Sequence, residues 1–130
     1  MITLAEEIAW SEIIIQPWRY AYLKTDTQVI GDHFLVSKDA DEVTIVTEEK
    51  NMDSVNFSQA TKRFKLYEIR PVTPFLAVGF IATVTRAIAD QELNVLVVST
   101  YSKDYILVKE ETSNNAAEAL KKLGFKITTL

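Results

Sequence analysis

An α/β (α+β) protein of two small tandem modules, each following the order βαββαβ and the first with its helices reduced, is what three features of this sequence predict. The C-terminal half alternates short β-branched runs with two amphipathic stretches, the N-terminal half repeats part of that pattern, and the whole is only 130 residues long. At that length there is room for one compact unit or two very small ones sharing a core, because such a chain buries only about two thirds of its unfolded surface.

In the C-terminal half, Lys65 to Arg70 (KLYEIR) alternates in character and stops at Pro71, as a strand does on leaving its ladder. Phe80, Ile81, Val84 and Ile88 then recur at helical spacing, with Thr83, Arg86 and Asp90 on the other side, which predicts an amphipathic helix ending near Gln91. Two starts are open for it: Thr73 as cap with Pro74 in the first turn, or a loop through Gly79. Asn94 to Thr100 (NVLVVST) is too short and valine-rich for a helix and is apolar on both faces, as a central strand is. Tyr105 to Lys109 (YILVK) is a second such run, and the short link Tyr101 to Asp104 pairs the two as a hairpin. Asn115 followed by Glu118 suggests a capping box; Ala116, Leu120 and Leu123 give the buried face, Lys121 and Lys122 the last turn, and Gly124 the stop. Phe125 to Thr129 (FKITT) is a last strand, which completes the split βαβ, or ferredoxin-like, order.

The N-terminal half echoes this plan. Phe34 to Glu49 aligned on Leu96 to Glu111, an offset of about 62, matches Val36, Ser37, Val46, Glu48 and Glu49 with Val98, Ser99, Val108, Glu110 and Glu111. Trp18 to Thr25 resembles Phe64 to Pro71 at an offset of about 46, so the first copy lacks roughly 16 residues, the length of one helix, between its first two strands. Lys50 to Ser54 has room only for a turn where the second helix belongs, and Met1 to Ser11 is available as a separate covering helix. The expected organisation is a degenerate module over residues 1–62 and a complete one over 63–130. Their helices are expected on one face of their sheets, with Ile81, Val84, Ile88, Leu120 and Leu123 in the core.

Composition narrows the function. Hydrophobic residues make up 48% and charged residues 25%, the balance of a folded globular chain, and a formal charge of −4 disfavours a nucleic-acid partner. There is no cysteine, which excludes disulfides, thiol catalysis and thiolate metal sites. The start MITLAEEIAW, with Glu6 and Glu7, is not a secretory signal, and Pro71 to Thr85 is too short and polar to span a membrane, so a cytoplasmic protein is expected. Gly31, Gly79 and Gly124 are too far apart for any phosphate-binding loop or nucleophile elbow, and His33, the single histidine, would need carboxylates alone to complete a metal site. The pairs Glu48, Glu49 and Glu110, Glu111 follow strands and read as solvated ends. No catalytic residue, cofactor or metal is expected.

Ser99 to Lys109 (STYSKDYILVK), taken with Phe75 to Gln91, resembles the ACT family, in particular its tandem branch that includes the cytosolic arginine sensor and the aspartate kinase regulatory domains. The resemblance implies a regulatory protein that binds a small ligand, usually an amino acid, where the loop entering the first helix meets a strand of a neighbouring module. On that basis Val78 and Gly79 form the loop side of a ligand site, Gly79 admitting the ligand to the backbone and the helix N-terminus offering N–H groups to a carboxylate. Thr100, Tyr101 and Asp104 form the other side, Asp104 taking an ammonium or basic group and Tyr101 an apolar or cationic one. A hairpin turn with an exposed aromatic and a turn-capping carboxylate is the plainer reading of Tyr101 and Asp104. The resemblance also implies a homodimer and a regulated protein partner. Val72 to Phe75 (VTPF) departs from the family's Asp-x-Pro-Gly-like loop, which keeps open the alternative of a ligand-free protein–protein interaction module. An RNA-binding sheet is disfavoured because Asn94 to Thr100 carries no aromatic.

Overall fold

A computed structural model describes residues 3–71 and 78–130. Its contacts divide into two compact units, Met1–Pro17 with Lys65–Leu130, and Trp18–Phe64. A cut at residue 62 is therefore not where the contacts divide: the first 17 residues belong with the C-terminal half. Strand pairing gives the reason: Glu12 to Ile15 pair with Lys126 to Thr129.

The first unit opens with α1 (Leu4–Trp10), the covering helix anticipated for Met1 to Ser11. Thr3 caps it reciprocally with Glu6: the Glu6 N–H donates to Thr3 Oγ1 and the Thr3 N–H to the Glu6 carboxylate, both at 3.1 Å. The chain then turns extended at Ser11 and enters β1 (Glu12–Thr25), a strand that begins six residues before Trp18. Ile13, Ile14 and Ile15 are buried, and this N-terminal part of β1 lies parallel to β7 (Lys126–Thr129), from Glu12 opposite Lys126 to Ile15 opposite Thr129. The remaining strands of the unit are the end of β4 (Gln59–Arg70), β5 (Leu96–Ser99) and β6 (Asp104–Lys109), in the order β7-β1-β4-β6-β5. β1 thus stands between β7 and β4, the positions that the first and last strands of a lone βαββαβ unit would fill side by side.

Two more helices complete the unit, α2 (Phe80–Ala89) and α3 (Ser113–Leu123). Their apolar faces meet residues at every second position of the strands: Phe80, Val84, Ile88, Ala116 and Leu120 join Ile13, Ile15, Tyr67, Ile69, Ile106 and Val108 in one cluster. Val84, Ile88 and Leu120 are fully enclosed, while Ile81 and Leu123 are half-buried against the same cluster. Ile8 of α1 and Phe125, edge-on to Phe80 at a ring separation of 5.7 Å, close it. Tyr67 ties the sheet to α3: its hydroxyl lies 2.8 Å from the Ser113 carbonyl and 2.7 Å from Ser113 Oγ.

Two local readings change, and one left open is decided. α3 starts at Ser113 behind a 3₁₀ turn, Glu110–Thr112, so Asn115 lies inside the helix rather than capping it, and Glu118 pairs instead with Lys121 at 3.4 Å. β5 is at the end of the strand order, not central; its residues alternate between half-buried and exposed, with Val97 42% exposed. α2 begins directly after Gly79, which settles its start in favour of the glycine.

The second unit contains the remainder of β1 with β2 (Leu35–Lys38) and β3 (Val43–Glu48), in the order β2-β3-β1. All pairs are antiparallel, Tyr20 opposite Glu48 through Thr25 opposite Val43, and Leu35 opposite Val46 through Lys38 opposite Val43. Asp39 closes the tight β2–β3 turn by accepting from the N–H groups of Asp41 and Glu42 at 2.8 and 3.0 Å. Among the described residues of this unit there is no α-helix; a 3₁₀ turn, Glu49–Ser54, stands where the repeat would place one. Ala21, Leu23 and Ile45 form a small buried cluster, with Val29, Val43, Met52 and Val55 packed against them, and Tyr20, Val46 and Phe64 are buried as well. The ring of His33 bridges Thr47 Oγ1 and the Ile30 carbonyl, each at 2.9 Å. Glu49 is not simply a solvated end, since its carboxylate accepts the backbone N–H of Arg63 at 2.8 Å, where Arg63 adopts φ 68°.

Candidate ligand pocket in the C-terminal unit

A pocket of about 350 Å³ opens in the first unit between the start of α2 and the β5–β6 hairpin turn. Gly79, Phe80 and Ile81 line one side, the stretch from Ser99 to Asp104 lines the other, and Pro71 at the end of β4 adds to the wall. Four of the five residues singled out from the sequence, Gly79, Thr100, Tyr101 and Asp104, therefore share one pocket. Val78 is 98% exposed and is not among the lining residues. Both described sides belong to the same unit, so no second module is required to bring Gly79 and Asp104 to one pocket. The loop Val72 to Phe75 lies outside the described residues.

On the helix side, Gly79 occupies the N-cap position in the left-handed region, φ 85°, and, being a glycine, has no side chain with which to cap the first turn of α2. The glycine is required by that φ rather than by crowding, since a Cβ there would meet nothing within 4 Å. A ten-residue helix thus begins in the pocket wall, and its N-terminus is the positive end of its dipole.

The opposite wall is held by its own hydrogen bonds. Ser99 Oγ donates to Asp104 Oδ1 at 2.6 Å, across the pair that Ser99 and Asp104 form in the hairpin register. Thr100 turns inward on the loop, its N–H and its hydroxyl both donating to the Lys103 carbonyl at 2.9 and 3.1 Å. Its side chain is thereby used in shaping the turn. Tyr101 is 76% exposed at the rim. The turn-capping reading of Asp104 is thus partly right, because Ser99 engages one carboxylate oxygen; that bond also fixes the direction of the carboxylate.

Ser99 and Lys103 were not singled out from the sequence. Lys103 lines the pocket, and its ammonium lies 3.3 Å from Glu68 Oε2 on β4. Arg70 Nε bonds the same oxygen, and Gln16 Nε2 donates to Oε1 at 3.4 Å. Burial pushes the Glu68 carboxyl up, but the hydrogen bond from Arg70 and the charge of Lys103 outweigh it, so the group sits below its ordinary value. The alternation of Lys65 to Arg70 signals a strand, and nothing in that pattern says that a glutamate on it is buried. No group of three or more histidine, aspartate or glutamate side chains among the described residues is placed to hold a metal ion.

A sheet with two helices packed on one face and the strand–helix order described above defines the first unit as a ferredoxin-like α+β domain. Residues 69–122 match the ACT domain family. It is similar in fold to a Vibrio cholerae protein of unknown function described as a possible transport protein, with a TM-score of 0.80, 17% identity, and 93% of this chain and 95% of that one covered. A protein of Agobacterium tumefaciens gives a TM-score of 0.79 at 17% identity, covering 92% of this chain and 93% of that one. The regulatory subunit of aspartate kinase from Thermus thermophilus, in a ligand-free form, gives 0.62 at 8% identity, covering 89% and 98%. No curated protein matches the chain by sequence. Among the described residues, no helix is long and apolar enough to cross a membrane.

Proposed function

We propose that this chain is a non-catalytic regulatory protein that senses an amino acid, bound in the pocket between the start of α2 and the β5–β6 turn. The ACT match and the fold shared with aspartate kinase regulatory chains suggest a small-molecule-sensing regulatory role. The observation that carries the amino-acid reading is the pairing, in one 350 Å³ pocket, of the start of helix α2 at Gly79 with an oriented carboxylate at Asp104. A zwitterion needs one positive and one negative partner, and these supply them: the helix end for its carboxylate, Asp104 for its ammonium. Thr100 shapes the wall, Tyr101 covers the rim, and Val78 precedes the glycine without lining the pocket. We place this activity in the cytoplasm, in a homodimer that passes its ligand state to a regulated protein partner; the uncovered edges β2 and β5 are where a second copy would add strands.

A thermal-shift screen against the proteinogenic amino acids tests the reading. A ligand that binds only the folded state raises stability by about 2.7 kcal/mol at a hundredfold excess over its dissociation constant. Asp104→Ala should weaken the ligand that responds by about ten- to a hundredfold while leaving the melting temperature of the free protein close to that of the parent. A flat response to every amino acid would favour the ligand-free interaction module, for which the exposed Val78 and Tyr101 would be the contact residues. Light scattering at micromolar concentration checks the dimer, and monomer mass counts against it.

A further inference from the structure

The charges that line the pocket are unequal in what holds them. Lys103 and Asp104 are the charged side chains among its described lining residues. Asp104 is engaged by a neutral hydroxyl, Ser99 Oγ, on one of its carboxylate oxygens. Lys103 is held by Glu68, and Glu68 has further partners: Arg70 bonds the same oxygen and Gln16 the other. Arg70 and Lys103 share this one carboxylate, Arg70 also faces the charge of Glu12, and of the two cations it is Lys103, its side chain 37% exposed, that is among the residues lining the pocket. Lysine is suited to such a change of partner, since its ammonium is a point charge with rotatable donors on a flexible stem, whereas the planar guanidinium of Arg70 is committed by its geometry.

We propose that Lys103 determines the specificity of the pocket and that the ligand is an acidic α-amino acid, an amino dicarboxylate. This rests on the amino-acid reading above and adds to it the third group of the ligand. The α-carboxylate takes the N-terminus of α2, the ammonium takes Asp104, and the side-chain carboxylate displaces Glu68 from Lys103. Glu68 remains paired by Arg70 and Gln16, so the exchange leaves no buried charge without a partner. A basic side chain would instead meet Lys103 as a like charge, and a neutral one would leave the Lys103–Glu68 pair in place and gain no ionic contact.

Calorimetric titration of the parent protein and of Lys103→Met and Lys103→Arg with aspartate, glutamate, asparagine, glutamine, leucine and lysine tests this. The parent should bind one of the two acids about ten- to a hundredfold more tightly than its amide. Lys103→Met should bring acid and amide to within about twofold of each other, and Lys103→Arg, which keeps the charge, should retain the preference for the acid. Melting temperatures of the free variants establish that both fold, and the acid–amide comparison in the parent stands without any variant. Tighter binding of a neutral or basic amino acid by the parent overturns the acidic ligand while leaving the amino-acid reading in place. A preference for the acid that survives Lys103→Met overturns the role of Lys103, and silence from all six ligands in the parent overturns this proposal.

Discussion

The two units are built on the same hairpin and differ in what covers it. β2 and β3 repeat β5 and β6, yet the second unit packs Ala21, Leu23 and Ile45 beneath a 3₁₀ turn and a coil, while the first encloses a continuous cluster beneath three helices. Each strand pair alone is marginal in water; it is the helices that supply the apolar area that outweighs the entropy of ordering. Loss of a helix therefore costs a unit its own core and, with it, the helix N-terminus on which an anion site depends. In the first unit, Gly79 and the start of α2 line the pocket. In the second, the residues between β1 and β2 supply no α-helix.

The largest effect that would sharpen this contrast is in the cores. Ile88→Ala, at a position with no exposure in the cluster beneath α2, should destabilise by about 2–5 kcal/mol in denaturant unfolding. Ile45→Ala, equally enclosed but within a much smaller cluster, should fall at the bottom of that range, about 2 kcal/mol, because its loosely covered surroundings can collapse into the void. Equal costs would break the comparison.

Next comes the end of α3, a feature the second unit lacks. Gly124 holds φ 113°, and a Cβ there would sit 3.7 Å from Ile8 Cγ2, in ordinary contact, so Gly124→Ala is strained in its backbone alone. We expect a loss of about 1–2 kcal/mol, measured by urea titration. A smaller step, about 1 kcal/mol, is expected for Tyr67→Phe, which removes the hydroxyl that joins β4 to α3 at Ser113. If the tie is what the structure makes it, hydrogen exchange in α3 should accelerate while amides of β2 and β3 stay as they were.

The smallest expected effect depends on pH. Glu68 in the folded state sits below its ordinary value, so the unfolded chain binds its proton first on acidification. Its contribution is therefore fully present above the ordinary glutamate range near about 4.3 and is lost as pH falls through the lower, folded value. Unfolding free energies measured over that acid window should decline less steeply for Glu68→Gln than for the parent. Parallel curves would mean that Arg70 and Lys103 do not hold the carboxylate in solution as they do in the fold.

Much of this was legible in the chain. The stripe Phe80, Ile81, Val84, Ile88 and the stripe Ala116, Leu120, Leu123 were sufficient for two helices, and the VTIVTE and YILVK runs for two hairpins, because period and branching are local properties. The repeat at an offset of about 62 showed the shared hairpin, and the shortened link after Thr25 showed the missing helix. What escaped was non-local. Pairing of β1 with β7 joins residues over 100 positions apart, and no local pattern in Glu12 to Ile15 names Lys126 to Thr129 as its neighbour; that pairing moved the boundary of the unit from residue 62 to a division in which Met1–Pro17 belongs with the C-terminal half. The edge position of β5 escaped for the same reason: an apolar run states that a strand can be buried, while strand order decides whether it is. At the pocket, the sequence singled out five residues through a family resemblance, of which Gly79, Thr100, Tyr101 and Asp104 line one cavity and Val78 does not. It passed over Lys103 because a lysine in a turn reads as solvated until the fold brings Glu68, from a strand far back in the chain, to within 3.3 Å of it. Residue type and spacing determined which elements this chain makes and which side chains have the chemistry to bind; only the tertiary pairing of strands decided which of those side chains meet, because a charge acquires its partner through space and not along the chain.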